Sequence, residues 1–483
     1  MSAPSQTVER LMPGELIDDF FVWERIHLGA QGIVYRVTGG AADFPMLMKV
    51  PRFQTGDAAE ILIHYETEAM ILPVLSGPHV PRFVAAGDIR RMAYLVLERI
   101  EGESLESQLV RCPMPASEVA RIGAAIGDAL HSLHRQGAVH CDLKPDNVIL
   151  RPTGETVLID FGLAWHARFP DLLAEEERFE AGSAPYISPE QLLGVRGDAR
   201  SDVYSLGVIL YEVATGELPF GVPASRGGLR QRLWMDPDPP AVLGEGVTPA
   251  LQEIILRCLE PEVERRYQSA AHVAFDLRHP DQVQLTSRAF KKESAGFLTQ
   301  TQRWWKARLT PIPPPPRMKR ALDAAPVVMV ALDTTQGDDE RQPAIQRVTR
   351  QVLSLTNDFR LVCVSVVEAP PLGANHGEGA SALHLDQMVR LRNWTVPLGL
   401  PAQRLSLHVI VAPDPAASLL EFARRNNVDL IVLGAPRPSQ QALAWWRSVA
   451  SSVTANAHCS VHVVRVPEPR EEAAPLRTSG RTR

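Results

Sequence analysis

Asp142, Lys144 and Asn147 lie in one short stretch, His140-Cys-Asp-Leu-Lys-Pro-Asp-Asn147, at the spacing needed to move a phosphoryl group. A carboxylate at Asp142 can orient a hydroxyl nucleophile and take its proton, Lys144 can neutralise phosphoryl oxygens, and the Asn147 amide oxygen can hold a magnesium ion. Thirteen residues beyond Asn147, after the apolar run Val157–Ile159, Asp160-Phe-Gly162 offers a second hard oxygen ligand. Alone, each would read as an ordinary turn; their order and distance give them weight.

Around this pair the chain alternates in pattern. From about Leu16 to Leu97 short β-branched runs alternate apolar and polar residues, broken by one helical stretch near Ile61–Leu75, which predicts a small sheet with one helix. From Ser117 onward helical periods dominate, at Val119–His134, Ser201–Thr215 and Leu251–Leu259. Residues Arg288–Arg320 hold nine basic side chains and one acidic, with Trp304, Trp305 and Pro311-Ile-Pro-Pro-Pro-Pro316, the composition of a stiff linker. Phe297, Leu298, Trp304, Trp305 and Leu309 at helical spacing can lie on an anionic membrane, dock a partner, or pack on a neighbouring domain. Beyond the linker, apolar runs at Val327–Leu332, Leu361–Val367, Leu405–Val411, Leu430–Leu433 and Val461–Val466 predict strands. They alternate with helical stretches near Pro343–Leu355, Ala382–Trp394, Pro415–Asn426 and Gln441–Ala457. Strand and helix in alternation imply a parallel sheet covered on both faces.

Composition narrows the class. A length of 483 residues predicts two to four domains, and 45% hydrophobic with 22% charged residues is ordinary for a soluble protein. The net charge of −6 argues against general nucleic-acid binding. The five cysteines, Cys112, Cys141, Cys258, Cys363 and Cys459, include no Cys-x-x-Cys pair, which fits a reducing compartment and no zinc site. No basic-then-apolar start and no apolar run of about 18 residues is present, so a cytoplasmic chain without a transmembrane segment is expected.

Residues from about 16 to 280 resemble a Hanks-type serine/threonine protein kinase of the kind common in bacteria. Ile26-His-Leu-Gly-Ala-Gln-Gly-Ile-Val-Tyr35 is similar to the glycine-rich hairpin over the phosphates, with Gly29, Gly32 and Val34 in place and His27 where the first glycine stands. The resemblance implies that Lys49 binds the α- and β-phosphates with Glu68 as its helix partner, Glu66 being the competing choice. It also implies that Leu97 is the gatekeeper and that backbone groups of Glu98 and Ile100 take the adenine edge. Asp142 and Lys144 are then catalytic, and Asn147 and Asp160 hold magnesium. Gly182-Ser-Ala-Pro-Tyr-Ile-Ser-Pro-Glu190 resembles the end of the activation segment. Asp202 matches the aspartate that braces the catalytic loop, and Glu190 should pair with Arg266 or Arg265. Lys144 with Ser183 points to serine or threonine as acceptor, on other proteins or on this chain itself.

Two further features depart from the pattern. Cys141 stands where an arginine usually binds the activation-segment phosphate, and Leu163–Gly182 contains no serine, threonine or tyrosine. Activity independent of activation-segment phosphorylation is therefore expected. Glu175-Glu-Glu-Arg178 can mimic a phosphate or be a solvated face, and Cys141 can be a redox sensor or a small packing residue.

Residues from about 325 to 467 resemble the universal stress protein family, through Val328-Met-Val-Ala-Leu-Asp333, Asp414-Pro415, Asp429-Leu-Ile-Val-Leu-Gly434 and Ala457-His-Cys-Ser-Val-His-Val-Val464. Nucleotide-binding members carry Gly-x-x-Gly, nine residues, then Gly and Ser or Thr. Counting from Gly434, Arg437 and Arg447 stand at the second and third glycines while Ser448 is kept, which favours a dimerisation or sensing module without nucleotide.

The expected architecture is multidomain, α+β and α/β: a tail over 1–15, a bilobal protein-kinase fold over 16–283 with its small lobe ending near 100, a linker over 284–324, a parallel-sheet α/β domain over 325–467, and a tail over 468–483. The expected activity is transfer of the γ-phosphoryl of ATP, with Mg2+, to serine or threonine of proteins, with a homodimer formed through the C-terminal domain. A pseudokinase scaffold that binds nucleotide without turnover is the alternative. A third reading has the kinase region phosphorylating the stress-protein-like domain in cis.

Overall fold

The computed structural model describes residues 11–293, apart from 30–31, 41, 53–57, 89–90, 170, 174–183, 224–225 and 245, and residues 326–465, apart from 335–340, 356–358, 368–377, 401–403, 427 and 436–448. The chain divides into two compact units, 1–324 with 371–389, and 325–370 with 390–483.

In the first unit, alternating apolar residues form an antiparallel sheet of six strands: β1 (Leu16–Ile17), β2 (Phe20–Leu28), β3 (Gly32–Gly39), β4 (Met46–Pro51), β5 (Phe83–Ala86) and β6 (Leu95–Glu98), in spatial order β1-β2-β3-β4-β6-β5. The period-2 pattern puts Val22, Ile33, Tyr35, Val37, Met46, Met48, Val50 and Val96 into one buried cluster. Register places Val34 opposite Lys49 and Lys49 opposite Leu95. Gly32 lies opposite Pro51, and a Cβ there would come within 2.9 Å of the Val50 carbonyl oxygen, so only glycine fits that approach. The one helix of this lobe, α1 (Ala58–Ile71), follows β4.

The large lobe is helical, as the 3.6-residue period predicts. Its main elements are α2 (Ala116–Arg135), α3 (Pro189–Leu192), α4 (Arg200–Thr215), α5 (Pro249–Cys258) and α6 (Ala270–Arg278). Ser188 and Gln191 form a reciprocal capping box at α3, Thr248 caps α5 ahead of Pro249, and Gly216 at φ 76° ends α4. Between α2 and α3, β7 (Val148–Leu150) and β8 (Thr156–Leu158) pair antiparallel and set the loops on either side of them. Residues 286–291, at the start of the stretch read as linker, are anchored on α5. Buried Glu253 accepts from the Thr286 amide at 3.0 Å and the Ala289 amide at 3.1 Å, and Gln252 Nε2 donates to the Lys291 carbonyl at 3.0 Å.

The second unit has a five-stranded, all-parallel sheet: β9 (Val327–Ala331), β10 (Arg360–Val367), β11 (Leu405–Val411), β12 (Leu430–Gly434) and β13 (Ser460–Val464), in order β11-β10-β9-β12-β13. Its helices are α7 (Arg341–Leu353), the 390–395 end of α8 (Glu378–Thr395), α9 (Pro415–Arg425) and α10 (Val449–Asn456). Val327, Met329, Val362, Val364, Ile431 and Leu433 face Leu419, Phe422, Ala423 and Val453 of α9 and α10. The alternate residues Val328, Val330, Leu361, Cys363 and Val432 are buried as well, the mark of a sheet covered on both sides. Asp414 caps α9 by accepting from the amides of Ala416 and Ala417 at 3.0 Å each, with Pro415 at the first helical position. Residues 441–448 of the expected Gln441–Ala457 helix, Arg447 and Ser448 among them, lie outside the described residues, as do Arg437 and the Trp/Pro stretch.

Candidate active site

Lys49, midway along β4, extends its Nζ between two carboxylates, Glu68 Oε2 at 2.7 Å and Asp160 Oδ1 at 2.8 Å. One comes from α1 and the other from the loop after β8, so three separate elements meet on one ammonium. Glu68 rather than Glu66 makes the pair. Burial works against the Lys49 charge, but Asp160 and Glu68 outweigh it and push the ammonium above its ordinary range. Burial opposes ionisation of Asp160 too, yet Lys49 beside it brings that carboxyl down to about 2. Glu68 is shifted upward by burial, its side chain being 3% exposed.

Asp142 is buried, with Lys144 Nζ 3.2 Å from its Oδ2. Asn147 Nδ2 donates to the Asp142 carbonyl at 2.9 Å and to Asp142 Oδ2 at 3.2 Å. Both partners only accept, so the amide is turned with Oδ1 away from them, toward whatever needs an oxygen donor. Asp202, at the start of α4 and 0% exposed, braces this loop: Oδ2 accepts from the His140 amide at 2.9 Å and from His134 Nε2 at 2.8 Å, and Oδ1 from the Cys141 amide at 2.9 Å. Burial resists its charge, but His134 and His140 hold the carboxyl below its ordinary range. The brace fixes backbone that would not adopt this shape unaided. Cys141 has φ 61° and Asp160 φ 65°, left-handed conformations that cost a non-glycine residue about 1–2 kcal/mol.

Cys141 itself is buried, and burial pushes its thiol well above the ordinary range. It is a small packing residue and not a reactive thiolate. Glu190 pairs bidentately with buried Arg266, at 2.6 and 3.1 Å, while Arg265 pairs with Glu262 at the surface. The segment 174–183, which includes Glu175–Arg178 and Ser183, lies outside the described residues.

Between the lobes, Leu97 is buried opposite Leu47 and Phe83. The Glu98 amide donates to the Arg82 carbonyl at 2.9 Å, and among the described residues the Ile100 amide has no acceptor. The Glu98 side chain bridges Arg82 Nε at 3.1 Å and Arg151 Nη2 at 2.9 Å. The glycine-rich hairpin closes through Gly29, whose amide donates to the Gly32 carbonyl at 2.9 Å and whose carbonyl accepts from Arg52 at 3.1 Å. A Cβ on Gly29 would meet His27 Nε2 at 3.2 Å.

Several positioning side chains carry no local sequence signal: Arg82 and Arg151 on Glu98, His134 on Asp202, and Arg232, fully buried and donating to the Ile187 carbonyl at 2.6 Å. The partners lie between 16 and 68 residues apart, and short-range spacing cannot announce such a pair. Among the described residues no cluster of three or more His, Cys, Asp or Glu could hold a metal ion by itself, and no helix is long and apolar enough to cross a membrane.

The family model of the protein kinase domain matches residues 22–276, and that of the universal stress protein family matches residues 326–465. The serine/threonine-protein kinase PknB of Mycobacterium leprae (strain TN) is 30% identical over 282 residues, 57% of this chain and 44% of that protein. Serine/threonine-protein kinase pkn2 of Myxococcus xanthus is 33% identical over 275 residues, 55% of this chain and 33% of that one. The chain thus spans less than half the length of these curated relatives. A crystal structure of the Mycobacterium tuberculosis PknI kinase domain is 21% identical with a TM-score of 0.45, covering 56% of this chain and 100% of that one.

Proposed function

The chain belongs to the protein kinase family, which covers residues 22–276, and from that premise we propose that it transfers the γ-phosphoryl of ATP to serine or threonine hydroxyls of proteins. The observation that carries this reading is the Glu68–Lys49–Asp160 chain at 2.7 and 2.8 Å, formed beside a braced Asp142. Lys49, held by Glu68, pairs with the α- and β-phosphates. The Ile100 amide and the Glu98 backbone take the adenine edge. Asp142 orients the acceptor hydroxyl and receives its proton as the new oxygen–phosphorus bond forms and the bond to the leaving ADP oxygen breaks. Lys144, 3.2 Å from Asp142, neutralises charge on the transferred group.

Asn147 Oδ1 and the anionic Asp160 form a hard-oxygen pair that suits magnesium, which would take its remaining ligands from water and phosphate. Bound there, the ion supplies charge neutralisation on the phosphates. Two further points belong to the proposal. Activity does not require a phosphate on the activation segment, because Cys141 cannot bind one. The C-terminal domain regulates or dimerises and takes no nucleotide. Supporting the latter, Arg341 Nη1 donates to the Ala435 carbonyl at 3.1 Å, and a Cβ on Gly434 would meet Ile345 Cδ1 at 3.3 Å, so α7 side chains lie over the remaining glycine. The catalytic unit runs to Lys291 and not only to 283, given the anchoring on α5.

The test incubates purified chain and Asp160→Asn with magnesium ATP and a mixed Ser/Thr peptide pool, and maps phosphate by mass spectrometry. Signal confined to the unsubstituted chain supports phosphotransfer. Equal signal from both would leave the nucleotide-binding scaffold.

A further inference from the structure

We propose that Arg196 is a positioning residue that locks the start of the activation segment through Asp171, with an unmodified carboxylate in the place of a phosphate. This rests on the kinase reading above and names the groups that make its activity constitutive. Arg196 lies in the loop between α3 and α4. Its Nε donates to both Asp171 oxygens, at 3.1 and 2.9 Å, and its Nη2 donates to the Leu163 carbonyl at 2.6 Å. One rigid guanidinium thus ties two points of the segment after Asp160-Phe161-Gly162 to the large lobe, using the fork geometry that distinguishes arginine from lysine.

The pair is interior. The Arg196 side chain is 8% exposed and that of Asp171 15%. Phe169, Leu172 and Leu173 on either side of Asp171 are buried, and the Leu173 amide donates back to Asp171 Oδ1 at 3.3 Å. Aromatic contact between Phe169 and His166, 4.9 Å between ring centroids, closes the same short plug. Removing one partner therefore strands a buried charge, unlike the loss of a surface ion pair.

Cys141 makes room for this arrangement. The Arg196 charge reaches the buried Cys141 thiol and the buried His64 ring on α1. A second arginine at position 141 would bring another cation toward Arg196, in a site where Asp171 and Asp202 are the carboxylates acting on the thiol. The cation that holds the segment comes from the loop before α4, and its counter-charge is a residue of the segment itself.

The test compares the full chain with Asp171→Asn, Arg196→Met and the double variant, reading kcat, KM for ATP, melting temperature and amide exchange over Leu163–Leu173. The near-isosteric Asp171→Asn guards against loss of fold. Expected are a fall in kcat of about tenfold or more in each single variant, KM for ATP within about threefold, and a double variant no worse than the poorer single, because the two act as one unit. Amide exchange over Leu163–Leu173 rises about tenfold in all three. Treatment of the unsubstituted chain with a broad-specificity phosphatase leaves kcat unchanged. Unchanged exchange and kcat in Asp171→Asn, or additive losses in the double variant, overturn the proposal while leaving phosphotransfer standing. Raised exchange in a chain no more active than Asp160→Asn supports the lock and removes the kinase reading.

Discussion

Replacing Asp202 by Asn tests whether one buried carboxylate shapes the catalytic loop. The two Asp202 oxygens receive the His140 and Cys141 amides at 2.9 Å each, along with His134 Nε2 at 2.8 Å. An asparagine has one oxygen, so whichever way it turns, its NH2 faces at least one of those backbone N–H groups. The lost charge-assisted bond and the orphaned buried donor together cost about 3 kcal/mol. That equals about a hundredfold in the population of the held loop. Cys141, at φ 61°, adds about 1–2 kcal/mol of strain that its release recovers, carrying Asp142 out of place. We expect kcat to fall about a hundredfold, while ATP affinity stays within about threefold because the Glu68–Lys49–Asp160 chain does not use Asp202. Adding Cys141→Gly, which tolerates the left-handed backbone, should restore up to about tenfold. The assay is steady-state transfer to peptide with parallel nucleotide titration. A folded Asp202→Asn protein with kcat within about threefold of the unsubstituted chain refutes the reasoning.

Burial holds the His64 imidazole down to about 4, against an ordinary 6.5, with Asp160, Lys49, Asp142 and Arg196 acting on it from neighbouring elements and Glu60 4.0 Å away. The unfolded chain therefore binds a proton below about 6.5 that the folded one refuses until about 4, so stability falls through that window on acidification, by up to roughly 3 kcal/mol. His64→Gln should flatten the melting temperature between those pH values, and an unchanged slope would count against it. Arg266→Met strands Glu190 and should lower the melting temperature of the catalytic unit by about 10 °C, from a cost of about 3–5 kcal/mol; a shift under about 3 °C contradicts the buried pair. Calorimetric titration with magnesium ATP should give one site per chain, weakened by Lys49→Ala, whereas a second site surviving that substitution would show that Arg341 and Ile345 leave the C-terminal domain open.

The small-lobe strands, the long helices of the large lobe and the five parallel strands were legible because period-2 and period-3.6 burial are local patterns, each spanning one element. The residues of the site were legible for a similar reason: Asp142, Lys144 and Asn147 lie within six residues of one another, and Asp160 follows at a short fixed distance. The proline and capping signal at Asp414-Pro415 marked a helix start by chemistry confined to one turn. The choices left open locally were settled by distance. Glu68 takes Lys49 because one face of α1 turns it toward β4, and Arg266 takes Glu190 because it alone of the two arginines is buried. Residues 286–291 carry the composition of a linker yet are fixed by Glu253 and Gln252, whose side chains come from another helix. Cys141 shows the division most clearly. By itself the sequence determined that no arginine stands before Asp142. Only the tertiary structure decided that a cation from the loop before α4 pairs with Asp171, because hydrogen bonds across 25 residues depend on where two loops meet and not on any spacing along the chain.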